Sequence, residues 1–164
     1  MAKKVKPIPE GYHTITPSLV IDRAAEAIEF YQKAFGGKLL FREDRPNGKV
    51  MHADMKIGDS HIMLADECDP HEGHEENCPQ SPTKLRGTTV TLFLYVEDVD
   101  SFFNRAVSAG ATATMPVADM FCGDRAGALR DPYGHFWFVA THKEEVSREE
   151  LEKRAQEFMA SAKM

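Results

Sequence analysis

The sequence predicts an α+β fold of two similar βαβββ modules followed by a separate C-terminal helix. Two observations carry this. One is an amphipathic stripe that occurs twice at a fixed spacing. The other is the setting of each stripe, with one alternating segment before it and three strand-like segments after it. The first stripe, Ala24, Ala27, Ile28, Tyr31 and Phe35, follows the i, i+3, i+4, i+7, i+11 pattern of one helix face, and Gly36-Gly37 stops it. Val99, Phe102, Phe103 and Ala106 repeat its first four positions 75 residues later, and Gly110 closes the second helix. A match at constant offset marks an internal repeat.

Taken in order, residues 14–21 alternate as a strand before the first helix, and residues 89–96 do so before the second. Segments 39–43, 50–57 and 61–65 complete the first module, with Asn47-Gly48 and Gly58-Asp59 as turns. Segments 112–117, 125–130 and 135–141 complete the second, the last two joined by Asp131-Pro132-Tyr133-Gly134. The modules therefore span 11–66 and 87–142, and residues 67–86, rich in Pro, Asp, Glu and His, read as a linker loop. A last helix covers 147–160: Ser147 and Glu150 form a capping box. Leu151, Ala155, Phe158 and Met159 give it one apolar side, to be docked on this domain or on a partner. The expected whole is one domain, its sheets side by side as a cup, helices outside and the inner face left to bind something.

Composition narrows the function classes. A chain of 164 residues, 42% hydrophobic, suits a single domain with a sizeable core. With a net charge of −6 and no basic cluster beyond Lys3, Lys4 and Lys6, nucleic acid is not an expected partner. No run reaches the ~20 apolar residues that cross a bilayer, and the first ten residues lack the apolar core of a secretory signal. No membrane partner and a cytoplasmic location are expected. Three cysteines are an odd count, which argues against a disulfide framework and for a reducing compartment.

At the level of motifs the chain resembles the vicinal oxygen chelate superfamily, which includes glyoxalase I, extradiol dioxygenases and bleomycin-resistance proteins. Gly11-Tyr12-His13-Thr14 with Thr16-Pro17, Ala27-Ile28-Glu29-Phe30-Tyr31 and Lys49-Val50-Met51-His52-Ala53 are similar to its PhnB-like branch. So are Tyr95-Val96-Glu97-Asp98-Val99, Gly123-Asp124-Arg125, Asp131-Pro132-Tyr133-Gly134-His135 and Ala140-Thr141-His142. The resemblance implies the paired βαβββ fold, a small-molecule site in the cup and a homodimer. It also implies four metal-ligand positions, which fall here on Thr16, Met63, Thr91 and Phe138. None is a His or Glu, and hydroxyl and thioether groups do not make the N/O shell that Fe, Mn, Ni or Zn needs. No cofactor is therefore expected at those positions.

Strand alternation then sorts the neighbours of those positions. A two-residue turn at Gly58-Asp59 pairs Asp54 with Met63 and sends His52, Asp54, Lys56 and His61 to one face. In the second module Phe136 and Phe138 face inward, and pairing across the Asp131 turn sends Arg125, Gly127 and Leu129 with them. The expected ligand-binding lining is Thr16, Ser18, His61, Met63, Thr91, Phe93, Arg125, Phe136 and Phe138, with His52 and Asp54 as the catalytic candidates. Each has a plainer reading: Lys56 and His61 as solvated rim residues, Phe136 or Phe138 as core, His52 and Asp54 as a structural pair. Arg125 either binds a carboxylate or phosphate bidentately or pairs with Asp124 or Asp54. In the linker, Cys68, His71, His74 and Cys78 are of the type and number that tetrahedral zinc takes, set against a charged loop without metal. Cys122 has no partner pattern and reads as structural.

Three functions remain. The chain binds a small organic molecule without metal, or it is an enzyme using His52, Asp54 or Arg125 on an anionic or carbonyl substrate, or it is a dimeric interaction module with a vestigial pocket.

Overall fold

The structure is a computed structural model, and it describes residues 5–68 and 78–161. Its elements run β1 (Ser18–Ile21), α1 (Ala24–Phe35), β2 (Lys38–Asp44), β3 (Val50–Ile57) and β4 (Ser60–Asp66), then a one-turn α2 (Pro82–Leu85). They continue with β5 (Thr91–Tyr95), α3 (Val99–Ala109), β6 (Thr112–Asp119), β7 (Asp124–Arg130), β8 (Phe136–His142) and α4 (Arg148–Ser161). The chain divides into two compact units between Thr88 and Thr89. Each is βαβββ with its own four-stranded mixed sheet, ordered β1-β4-β3-β2 in the first and β5-β8-β7-β6 in the second.

The repeat extends to single hydrogen bonds. Ser18 pairs with Met63 across the parallel β1/β4 ladder, and Phe93 pairs with Phe138 across β5/β8, the same register 75 residues on. Asp66 and Thr141 are equivalent positions, and both satisfy a helix N-terminus. Ala24 N donates to Asp66 Oδ1 at 2.9 Å, and Val99 N donates to Thr141 Oγ1 at 2.9 Å. The first turn of a helix leaves backbone N–H groups without intrahelical acceptors, so a buried acceptor from the last strand locks each helix to its sheet. Arg23 at the start of α1 is left-handed and offers no side-chain cap, so Asp66 takes that role.

Alternation assigns the faces. In the first unit Ile21, Ala53, Met55 and Leu64 are fully buried, as are Ala24, Ala27, Tyr31 and Ala34 of α1. In the second, Leu129, Trp137 and Val139 are buried with Val99, Phe102, Phe103 and Ala106 of α3. Gly127 lies under α3, where an added Cβ would stand 2.8 Å from Phe103 Cε2. Each sheet therefore has one helix-covered face and one helix-free face. Segment 67–86 is not wholly loop, since Ser81 caps the short α2 by accepting from Lys84 N. Ser147 caps α4 by accepting from Glu150 N at 3.3 Å, but the Glu150 carboxylate accepts from Arg154, so only half of the expected capping box forms. No helix among the described residues is long and apolar enough to cross a membrane.

The β7–β8 connection overturns one expected register. Asp131 N donates to His135 O, Gly134 N donates to Asp131 O, and Gly134 has φ 93°. That is a three-residue hairpin loop, a turn closed by a left-handed glycine. Asp131 reinforces it by accepting from Tyr133 N, His135 N and Trp137 Nε1, all within 2.9 Å. Ala128 therefore pairs with Phe138, and Arg130 with Phe136. A slip of one residue transfers every side chain to the other face. Arg125, Gly127 and Leu129 lie on the α3 side, and Asp124, Ala126, Ala128 and Arg130 share the helix-free face with Phe136 and Phe138.

Candidate functional site

On the helix-free face of the first sheet, Asp54 of β3 stands opposite Met63, with Lys56 opposite His61. The segment before β1 crosses this face. Tyr12 donates its hydroxyl to the Asp54 carboxylate, and its ring stacks on His61 with centroids 4.0 Å apart. His61 Nδ1 lies 3.0 and 3.2 Å from the two Asp54 oxygens. Asp54 and His61 are 5% and 8% exposed, and the half-buried Tyr12 covers them. The hydrogen bond to Asp54, helped by burial and the carboxylate charge, pushes the Tyr12 phenol pKa up. Beside it lies an open pocket of about 510 Å³ lined by Pro7, Ile8, Pro9, Tyr12, His13, Thr14, Thr16 and Met63. A mostly apolar lining with a few polar groups is the usual character of small-molecule sites.

The second sheet carries a different constellation. Tyr95 hydroxyl donates to Asp124 Oδ2 at 3.0 Å, and His142 Nδ1 lies 2.8 Å from Asp124 Oδ1. These residues do not occupy repeat-equivalent positions of the first cluster. The Asp124 hydrogen bond raises the pKa of both Tyr95 and His142, and Glu145 adds to the effect on His142. Next to them Phe93 stacks on Phe138 and tilts against Tyr95, with both centroid distances 5.0 Å. Phe93 is 50% and Tyr95 65% exposed, so these rings form an open aromatic surface rather than core.

The expected site residues divide accordingly. Asp54, His61, Met63 and Thr16 come together in the first unit, and Phe93, Phe136 and Phe138 share the helix-free face in the second. Ser18 and Thr91 are exposed at the starts of β1 and β5. His52 shares a face with Asp54 but rests against Phe41, with centroids 6.1 Å apart, while Asp54 bonds Tyr12 and His61. His61 is a buried group and not a solvated rim residue. Arg125 is not a ligand-facing cation. Its Nε and Nη2 hold Asp100 of α3 at 2.7 and 2.8 Å, and its Nη1 lies 3.1 Å from Asp119, so the chain's own carboxylates occupy the guanidinium. That pairing holds the Asp100 carboxyl below its ordinary range.

The linker expectation is also corrected. Cys68 and Cys78 are joined as a disulfide with Cα atoms 5.9 Å apart, so neither sulfur is a thiolate ligand in this structure. His71 and His74 lie outside the described residues. The odd cysteine count misled because the third cysteine, Cys122, stays free and exposed. Tyr12, Tyr95, Asp124 and His142 were present in the sequence only as parts of family-like motifs. Alternation within strands does not reveal a residue that reaches the site from a preceding loop, as Tyr12 does.

Comparison with known proteins fits this architecture. The profile of the Glyoxalase/Bleomycin resistance protein/Dioxygenase superfamily matches residues 12–139. The chain belongs to this superfamily. An uncharacterised protein of Mycobacterium bovis is 41% identical over 138 residues, covering 84% of this chain and 89% of that one. An uncharacterised protein of Mycobacterium tuberculosis H37Rv is likewise 41% identical, with 84% and 79% covered. Among solved structures, TioX from Micromonospora sp. ML1 superposes with a TM-score of 0.63 at 27% identity, covering 79% of this chain and 98% of TioX. A PhnB protein from Bacillus cereus shares the fold, with a TM-score of 0.59 at 21% identity and 79% and 99% coverage.

The metal positions of catalytic superfamily members can be tested on donor chemistry. Thr16 and Met63 offer a hydroxyl and a thioether to the pocket wall. Thr91 pairs with Phe136, and Phe138 is stacked on Phe93. These groups do not fit a divalent metal. Among the described residues no group of three or more His, Cys, Asp or Glu side chains is placed to hold one.

Proposed function

We propose that this superfamily member binds a small organic molecule on its helix-free sheet surface without the divalent metal of its catalytic relatives, and that it falls in the PhnB-like branch and works as a homodimer. The observation that carries the reading is the pocket of about 510 Å³ beside the first sheet, lined mostly by apolar atoms and bordered by Tyr12 of the Tyr12–Asp54–His61 cluster. The exposed aromatic surface of Phe93, Tyr95 and Phe138 supports it, because large apolar patches on a folded surface mark places where something docks. Donor chemistry at Thr16, Met63, Thr91 and Phe138 supports the metal-free part. The branch assignment rests on the motifs around Gly11, His52, Gly123 and Asp131.

The test is a thermal-shift screen of small organic compounds with and without a chelator. A ligand at about 100 times its Kd should add about 2.7 kcal/mol of stability, and the chelator should leave the shift unchanged. Stabilisation that vanishes with chelator, or none from any compound, would count against the reading. A second reading, an enzyme acting on a small carbonyl substrate, draws on Asp54, whose imidazole partner is His61 and not His52. Turnover lost in His61→Gln would distinguish it from binding alone.

A further inference from the structure

β2 stands at the edge of the first sheet, paired with β3 on one side and, among the described residues, with no strand on the other. All seven of its residues are exposed, with Leu39 at 36% and Leu40 and Phe41 at 52% each. An unpaired strand edge offers a row of backbone donors and acceptors to another strand, and edges that must stay single carry proline, charge or little length. β6 is the matching edge of the second sheet, and Pro116 stands there 75 residues after Phe41. Proline lacks the N–H that a ladder needs. The repeat thus closes one edge with proline and leaves three successive large apolar side chains on the other.

The charges on β2 are ordered as well. Lys38 lies opposite Lys56, Phe41 opposite Asp54 and Glu43 opposite His52, so a bulge between Leu39 and Phe41 puts all three on the helix-free face. Counted along the β3 ladder, Phe41 is the midpoint, with Lys38 two rungs to one side and Glu43 two rungs to the other. Arg42 is already paired with Asp44 at 2.7 Å, whereas among the described residues neither Lys38 nor Glu43 is in a salt bridge.

Resting on the homodimer reading, we infer that β2 is the seam of that dimer: two copies lay their β2 strands side by side, antiparallel, about a two-fold axis at Phe41. Phe41 then meets Phe41 of the second copy, and Lys38 meets Glu43 of the second copy at each end. A two-fold contact must be self-complementary. This strand is so only in the antiparallel sense, because a parallel pairing sets Lys38 on Lys38 and Glu43 on Glu43. Facing like charges repel, so an anion from the second copy also relieves Lys38 of its neighbour Lys56. A single strand is a small interface beside the standard size, so the dimer should come apart on dilution.

Sedimentation velocity of the full chain over a concentration series reads the dimer and its dissociation constant. Lys38→Glu and Glu43→Lys should each weaken it about tenfold, since two cross-strand attractions become repulsions, and the double variant should restore it. Phe41→Lys, checked for folding by circular dichroism, should leave the chain monomeric. Facing Cα atoms of an antiparallel pair lie about 4.5–5.5 Å apart, within disulfide reach. Phe41→Cys in a Cys122→Ser background, treated with oxidised glutathione, should therefore give a covalent dimer linked 41 to 41. A dimer that neither Phe41→Lys nor the charge variants weaken, or that Phe41→Cys fails to cross-link, overturns the seam and leaves the homodimer reading standing. Hydrogen exchange at β2 slowed by a different protein, and not by raising the concentration of this one, has the same consequence. A chain that stays monomeric at every concentration overturns both.

Discussion

At the scale of single residues, two imidazoles are each tied to a carboxylate, and their surroundings give them different uses. His61 is buried with Nδ1 on both Asp54 oxygens, whereas His142 has an acceptor at each nitrogen, Asp124 at 2.8 Å and Glu145 at 3.4 Å. Two facing acceptors favour the doubly protonated ring, which is why the His142 pKa lies above its ordinary 6.5. A raised folded-state value adds stability that is fully present below 6.5 and is lost as pH rises through the folded pKa. His142→Gln should therefore melt below wild type near pH ~5, with the gap closing on the alkaline side of the folded value. Melting curves against pH read this, and a constant gap would show that packing is responsible instead. His61 was within reach of sequence reasoning, because a two-residue turn fixes the β3/β4 register. Its partner Tyr12 was not, since the path of the segment before β1 depends on packing over the sheet.

At the scale of elements, buried acceptors do more than turns alone. Asp66 accepts from Ala24 N at 2.9 Å and from Val50 N at 2.7 Å, joining α1 and β3 to the end of β4. Thr141 accepts from Val99 N and donates to Val96 O at 2.8 Å. Stranding two buried N–H groups in Asp66→Ala should cost about 2–4 kcal/mol, and stranding one in Thr141→Val about 1–2 kcal/mol. Urea unfolding should preserve that order. Asp131→Ala removes the acceptor of three donors and should cost about 2–4 kcal/mol. Asp131→Asn keeps an oxygen for the backbone and should cost less. The same turn explains the misplacement of Arg125. The tetrapeptide Asp131-Pro132-Tyr133-Gly134 suits a loop of either parity, and the left-handed Gly134 selects the odd one.

At the scale of the whole molecule, two repeat units lie on one chain with a disulfide in the segment that leads from one to the other. Cys68 and Cys78 are ten positions apart, and closing a loop of that length lowers unfolded-state entropy by an amount worth about 3 kcal/mol. Reduction, or the pair Cys68→Ser with Cys78→Ser, should lower the melting temperature by roughly 6–12 °C for a chain of this size. Mass spectrometry of the unreduced protein should find a single free thiol, on Cys122. Three free thiols in protein taken from its own compartment would mean that the compartment holds the pair reduced. The C-terminal helix is held lightly. Arg154 grips Glu144 at 2.8 and 2.9 Å, Phe158 meets Phe121 at 5.4 Å, and Phe158 and Met159 are both 57% exposed.

The α+β class, the two βαβββ units and the 75-residue offset all follow from the sequence by itself. They follow because periodicity is a local property, readable one segment at a time. The tertiary structure alone decided the Tyr12–Asp54–His61 cluster, the pairing of Arg125 with Asp100 and the joining of Cys68 to Cys78. Each depends on which backbone passes over which face, and a shift of one residue in a hairpin or the course of one unpaired segment changes the answer without altering any local pattern.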